Sequence, residues 1–507
     1  MTATSQTQGA KPSGSPPQRL HSSGLRFFVV GERKQRRRAR RLLLCQTAAA
    51  LALVLGGCAS YDPRPLPSTA RLQQHLGALQ VNRDRIALPQ LAAQPIDLHA
   101  PLTMDAVATL AVLHNPQLQQ ARDRVGVATA QAFAAGLLPD PRFSTSYANP
   151  GHSSFATSSA YSDSLSFDLG SLITRPAAQA TARAHVRSVN LQLLWLEWQS
   201  ASQAQLLFVQ LVGLRDRDAL VQAQRKLAVE RLHRARIAAI AGNLPRTDAD
   251  ADLVDLQRLN ETLAHDARQR ITLQAKLNAL LGLDPEVHLR LAALPVISAQ
   301  DAQSARAALA KIADIRPDLM ALRAGYASQE QRLRKAVLEQ FPSISVGLSR
   351  ARDTSNVNTL GFGVSFTLPI FNGSRGAIAV QKATRQELYD AYQLRLNQTR
   401  ADVDQALSNM ALLGRQRQSL QLALPALQRA SAAADMALSR GAITLPQAQA
   451  QRMALLDQRM ALQANTQQTA EQAVALDLLT GEGIYRRAAD SARRPASLPS
   501  AHRSITP

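Results

Sequence analysis

In this chain of 507 residues the side chains best suited to chemistry are cysteine and histidine, and their placement says which chemistry is on offer. Cys58 closes the run "LGGC" (55–58), where small residues precede the one nucleophile at that point able to take a diacylglycerol group. Upstream lie a positive segment, "RKQRRRARR" (33–41), and an apolar one, "LLLCQTAAALALVLGG" (42–57), too short and too interrupted by Gln46 to span a bilayer comfortably. Positive charge, apolar run, small residues and cysteine stand in the order of a bacterial lipobox, which predicts a signal segment over 1–57 and lipidation at Cys58. Residues 1 to about 30, polar and rich in Ser, Pro and Gln, read as preceding the true start. Cys45 leaves with the signal, so no disulfide is expected in the mature chain. Ala59 stands where an Asp would resemble an inner-membrane retention signal, which favours the outer membrane. The ten histidines are dispersed, and no two sit three or four residues apart as ligands on one helix face would. With no cysteine pair, phosphate loop or nucleophile elbow either, the sequence predicts no catalysis, no metal and no cofactor.

Charge excludes a second class. The formal net charge of +21 invites a nucleic-acid partner. Residues 1–57 hold +9 of it and 484–507 hold +4, leaving +8 for residues 58–483 with no basic stripe interleaved with aromatics. Nucleic acid is therefore not the expected partner.

The elements that carry the remaining features are written twice. "HNPQL" (114–118) and "IRPDL" (315–319) lie 201 residues apart, as do Pro141 and Pro342. "LSFDLG" (165–170) and "VSFTLP" (364–369), Gly242 and Gly441, and "LLG" (280–282) and "LTG" (479–481) are offset by 199. Five landmarks in one order at nearly constant spacing mark a duplication. The expected organisation is a signal over 1–57, a Pro-rich segment over 58–101 that wraps the helices or tethers the lipidated end, repeats over 102–290 and 302–483, and a disordered basic tail over 484–507. Each repeat reads as a helix of about 30 residues (103–137; 302–340), two short strands, a long helical run (176–240; 374–440), a tight Gly-containing turn and a returning helix (247–281; 447–480). Leu191, Leu194, Trp195 and Trp198 share one helix face, as do Leu388, Tyr392 and Leu396, so these aromatics read as core. Pro425 is expected to kink or break the second long run.

The strands have a period of two. In "LGFGVSFTLPI" (360–370), Leu360, Phe362, Val364, Phe366 and Leu368 face one way and Gly361, Gly363, Ser365 and Thr367 the other. Its partner "SISVGLS" sets Ile344, Val346 and Leu348 against Ser and Gly. In the first repeat Phe143, Thr145 and Tyr147, then Leu165, Phe167 and Leu169, alternate with Ser144, Ser146, Ser164, Ser166 and Asp168. Short strands with one apolar face and one small or polar face suit a transmembrane barrel. Four strands cannot close one, and an open edge in lipid leaves amides unsatisfied, so several chains must share a barrel, eight strands from two or twelve from three. A soluble four-stranded sheet capping a helical bundle is the competing arrangement.

From about Leu102 to Gly483 the chain resembles the TolC-like outer-membrane efflux ducts, in particular the lipoprotein members serving tripartite pumps. The most specific segment is 341–383, "FPSISVGLSRA" through "LGFGVSFTLPIFNGSRGAIAVQKA", supported by "LTMDAVATLAVLHNPQL", "AGLLPDPRF" and "LNALLGLDP". The resemblance implies a mainly α fold with a small β part: duplicated long α-helical hairpins forming an α-barrel, plus four strands per chain in a trimeric, twelve-stranded transmembrane β-barrel. It implies a homotrimer in outer-membrane lipid of a Gram-negative bacterium, with a long periplasmic portion. It implies a passive duct that a periplasmic adaptor joins to an inner-membrane transporter, exporting drugs or metal ions. It places the adaptor-docking tip at the two turns, with Gly242 and Asp248 in the first and Gly441 in the second, where Gln447 replaces the family's acidic residue. Asp250, Asp252 and Asp255 extend Asp248 into an acidic run that reads either as a ring at the aperture or as a solvated helix face. "GLLPDPRF" and the region around Pro425 are similar to the branch paired with heavy-metal exporters. A lipid-anchored coiled-coil scaffold or adhesin without a pore is the alternative reading, and duplicated amphipathic strand pairs count against it.

Overall fold

The computed structural model describes residues 61–82, 88, 91, 96–151, 157–295 and 302–481; Cys58, the signal segment and the basic tail lie outside them. The chain divides into two units, 1–70 and 71–507, and the described residues of the first, 61–70, contain no helix or strand.

The second unit repeats one order of elements: α1 (Met104–His114), α2 (Pro116–Gly136), β1 (Arg142–Ala148), β2 (Ala160–Asp168), α3 (Gly170–Ile240) and α4 (Arg246–Leu280), then α5 (Ala302–Ala310), α6 (Ile312–Ile315), α7 (Pro317–Leu338), β3 (Ile344–Arg352), β4 (Asn358–Phe366), α8 (Arg375–Ser439) and α9 (Leu445–Thr480). At 1.5 Å per residue the 71-residue α3 spans roughly 100 Å.

The helix expected over 103–137 is two helices, and its counterpart over 302–340 is three. Proline is the cause of the break the two share, while the additional break at Lys311 (φ −112°, ψ 10°) has no proline beside it. A residue before proline is driven out of the α region, and Asn115 (ψ 120°) and Arg316 (ψ 124°) sit in extended backbone ahead of Pro116 and Pro317, which open α2 and α7 at their first positions. Thr103 caps α1 as expected, its Oγ1 accepting from the Ala106 amide at 3.2 Å. Pro425 does not break the second long run: α8 continues from Arg375 to Ser439 through it. The carbonyl of Gln421 that loses its donor there lies on an exposed stretch, where water can satisfy it.

Residues Ala106 to Leu113 of α1 are all buried, so this helix is apolar all round and sits between two cores. In one, Val107, Leu110 and Ala111 meet Phe208, Leu211 and Val212 of α3, Leu277 of α4 and Val474 of α9. In the other, Ala108 and Val112 meet Leu191, Leu194 and Trp198 of α3 and Met320, Ala321 and Ala324 of α7. A third joins Ala305 of α5, Val403 and Leu407 of α8 and Leu476 of α9. The segment ahead of α1 packs on the helices: Leu79, Leu88 and Leu91 are buried, and Gln73 and Leu102 bridge to Leu283 and Leu291. Among the described residues no helix is long and apolar enough to cross a membrane.

Candidate functional site

The four strands form a single antiparallel sheet in the order β1-β2-β3-β4, so the two repeats meet at its centre. The register carries each apolar row across both repeats: Phe143, Leu165, Leu348 and Phe362 are successive partners, as are Phe167, Val346 and Val364, with Ile344 opposite Phe366. The same pairing aligns Ser144, Ser164, Ser349 and Gly361 on the other face, where the hydroxyls of Ser144 and Ser164 lie 2.7 Å apart. A slip of one residue at any pair would mix the two faces.

Among the described residues nothing covers the apolar face. Leu360 is 84% exposed, Phe362 70% and Phe143 67%, and Tyr147, Leu165, Ile344, Leu348, Val364 and Phe366 are exposed too. Phe167 and Val346 are half-buried by their neighbours in the sheet. Beyond the strands, Phe341, Leu368, Ile370 and Phe371 extend the exposed apolar surface toward the helices. A contiguous exposed face of this kind marks a partner or a membrane. β1 and β4 pair on one side only, so their outer backbone groups are open to further strands.

At the other end of the long helices, the two turns are built alike. The Asn243 amide bonds the Ala238 carbonyl at 2.8 Å and that of Gly242 bonds Ala239 at 3.2 Å; in the second turn Ala442 bonds Ala437 at 2.9 Å and Gly441 bonds Leu438 at 3.0 Å. Both are Schellman closures, and they require positive φ at Gly242 (77°) and Gly441 (70°). Asp248 and Gln447 then occupy the same third position of α4 and α9. Gln447 completes a capping box with Thr444, its Oε1 accepting from the Thr444 amide at 2.9 Å. In the first repeat Pro245 stands at the cap and Asp248 is exposed, its charge favoured by the helix N-terminus. The acidic run does not stay together. Asp252 and Asp255 are both held by Arg231 of α3 at 2.6 Å, and Arg258 also reaches Asp255 at 2.7 Å, which leaves Asp248 and Asp250 as the exposed acids.

Sequence reasoning missed a buried cluster where the repeats pack. Arg316, in the "IRPDL" landmark, is buried with its guanidinium 4.8 Å from the Trp195 ring centroid, and Arg395 of α8 lies 5.8 Å from the same ring. Asp318 accepts from both, Arg316 Nη2 at 2.7 Å and Arg395 Nε at 2.7 Å. Burial pushes the Asp318 carboxyl up, but the hydrogen bonds and charges of the two arginines outweigh it and hold the group below the usual carboxylate range. Arg-Pro-Asp in one landmark was the available signal. In the first repeat the equivalent Asn115 caps α2 and donates to Ser200 at 2.9 Å, so neutral groups do there what an ion pair does in the second. Among the described residues there is no cluster of three or more His, Cys, Asp or Glu able to hold a metal.

The model of the family described as "Outer membrane efflux protein" matches residues 308–482, which run from α5 through β3, β4 and both helices of the second hairpin. No curated protein matches the sequence. Solved structures match its fold. The chain is similar to the outer-membrane channel OprN, at 15% identity over 84% of this chain and 100% of that one, with a TM-score of 0.64. It is similar to the Campylobacter jejuni CmeC outer membrane channel, at 15% identity over 87% and 98%, TM-score 0.63. It is also similar to the outer membrane protein VceC of Vibrio cholerae, at 16% identity over 75% and 96%, TM-score 0.61. The family match falls on the second repeat, and the fold likeness extends over the first, with its strands and its hairpin of the same build. Residues 308–482 match the outer membrane efflux protein family, and over the rest of the chain the likeness is one of fold.

Proposed function

We propose that this chain is the outer-membrane exit duct of a tripartite efflux pump, a passive channel of three copies. The observation that carries the reading is the sheet. Its rows of Phe, Leu and Val on one face and Ser and Gly on the other run unbroken through both repeats. Two open edges, at β1 and β4, let copies join head to tail until the sheet closes with every amide paired. Three copies give twelve strands, lipid on the apolar side and water within. The long hairpins, α3 with α4 and α8 with α9, then continue the passage into the periplasm. Their Gly242 and Gly441 turns form the end that docks an adaptor, with Asp248 exposed at that surface. Lipid on Cys58 would hold the chain to the membrane. Export draws its energy from the inner-membrane partner, and the cargo, whether drug or metal ion, is chosen there.

The test is single-channel recording from the detergent-purified mature protein in a planar bilayer, with its oligomeric mass measured in parallel. Discrete, long-lived openings from a trimer are expected. A monomer that stays in solution without detergent would overturn the reading. Mass spectrometry of the purified chain and of Cys58→Ala tests the anchor: a diacylglyceryl adduct on the first and none on the second.

A further inference from the structure

The outward sheet face is apolar along most of its length and changes character at one end. Beyond the Phe143, Leu165, Leu348 and Phe362 row come Thr145, Asp163, Arg350 and Leu360, and then Tyr147, Tyr161, Arg352 and Asn358, all on the same face by register. This is the end where β1 turns into β2 and β3 into β4, while the helices attach at the other. From the Ile344 and Phe366 pair to Arg352 is eight steps of strand, roughly 27 Å at ~3.4 Å each and about 20 Å along the membrane normal at a barrel tilt of ~45°. With Phe341 and Phe371 below, that spans the apolar height of an outer-membrane barrel, about 25 Å. The arginine rows therefore fall at the interface remote from the helices, with Tyr147 and Tyr161 in the position of an aromatic girdle.

Both guanidiniums converge on one ring. Arg352 lies 5.3 Å and Arg350 6.0 Å from the Tyr161 centroid. Arg352 donates from Nε and Nη2 to the Ser159 carbonyl at 3.2 and 2.9 Å, which leaves its Nη1 hydrogens over. Asp163, across the strand pair from Arg350, accepts from Thr145 at 2.8 Å, and Asp353 accepts from the amides of Ser355 and Val357 at 2.9 Å. Among the described residues neither arginine forms an ion pair within 4.0 Å. Two cations braced on an aromatic ring, on the lipid side and at headgroup depth, complement one chemistry, the phosphate of a membrane lipid.

We propose that Arg350 and Arg352, held by Tyr161, form a binding site for phosphorylated lipid headgroups on the outer rim of the barrel. The inference rests on the barrel reading, because only that reading puts this face in lipid. The test is native mass spectrometry of the detergent-solubilised full chain titrated with phosphatidylglycerol, beside the double variant Arg350→Gln/Arg352→Gln. Loss of two interfacial cations should weaken retention roughly thirtyfold, and Tyr161→Leu should weaken it less while keeping both charges. Unchanged retention in the double variant would overturn the site. Displacement of the lipid by inorganic phosphate at equal concentration would overturn the lipid assignment in favour of a small-anion site. Conductance of both proteins separates the two levels: normal openings with unchanged lipid retention sink the headgroup site alone, whereas a wild type that neither forms trimers nor conducts sinks the barrel.

Discussion

Glu197 of α3 is a buried acid held in place by a single cation. Arg122 Nη2 reaches its Oε1 at 3.2 Å, and that same nitrogen also donates to the Val112 carbonyl at 2.9 Å. Burial pushes the carboxyl up from 4.5 to about 7, and the charge and hydrogen bond of Arg122 offset only part of that. An acid raised on folding contributes stability that is fully present below its unfolded value and lost as pH rises through its folded one. The rise from 4.5 to about 7 corresponds to ~3 kcal/mol lost between about pH 4.5 and pH 7. Glu197→Gln keeps the shape of the neutral acid and an oxygen for Arg122, and it cannot ionise. The variant should match the wild type at pH 5 to within ~1 kcal/mol. At pH 8 it should be the more stable by up to ~3 kcal/mol. Denaturant unfolding in detergent, followed by far-ultraviolet circular dichroism at both pH values and matched salt, measures the difference. Other titrating groups, such as Asp105 and Asp218, cancel because they are common to both chains. A variant no more stable than the wild type at pH 8, or one whose advantage is the same at pH 5, would refute the reasoning.

Gly481 ends α9 at φ 67°, and a Cβ there would stand 2.8 Å from Trp198 and 2.9 Å from Ile315. Gly481→Ala should cost about 2–4 kcal/mol from the left-handed backbone and the overpacking together, read as a fall in the midpoint of the same unfolding curves. Phe362→Lys places a charge in the middle of the outward face, costing ~2–4 kcal/mol per chain, whereas Ser365→Lys on the opposite face should leave the yield of heat-resistant oligomer unchanged. Asp318→Asn removes the negative charge and one of the two acceptor oxygens shared by Arg316 and Arg395 and should cost about 3–5 kcal/mol, because a buried guanidinium is left without its counter-charge. Since the Asp318 carboxyl sits below its usual range, that contribution is present above ordinary carboxylate pH and is lost as pH falls through the folded value, so the gap between variant and wild type should close in acid.

Much of this architecture is legible in the chain itself, because two periodicities carry it. The alternation in 360–368 fixes which side chains share a face, and the repeated offset near 200 residues tells where the second sheet half and second hairpin begin. What escaped depends on contacts distant in sequence. Arg395 lies 77 residues from Asp318, the acceptor it shares with Arg316, and no local pattern announces that pairing. Gln447 reads as a departure from an acidic position until the capping box shows it serving its own helix start. Pro425 reads as a breaker because local rules assume a carbonyl left with no other donor, and on an exposed helix face water supplies one. The prolines at 116 and 317 went the other way: their effect is local and was visible, and the apolar run on either side masked it.

In the proposed duct the serine and glycine face of the sheet has a kinetic meaning. Apart from Arg142 and Asp168 at the helix end, nothing on it between Ser144 and Ser365 reaches further than a threonine. A molecule sliding past would trade one hydroxyl for the next much as it trades waters, meeting neither a deep well nor a tall step. On such a smooth free-energy profile dwell times are short and depend little on shape or sign of charge. Throughput in that stretch is then governed by width and diffusion.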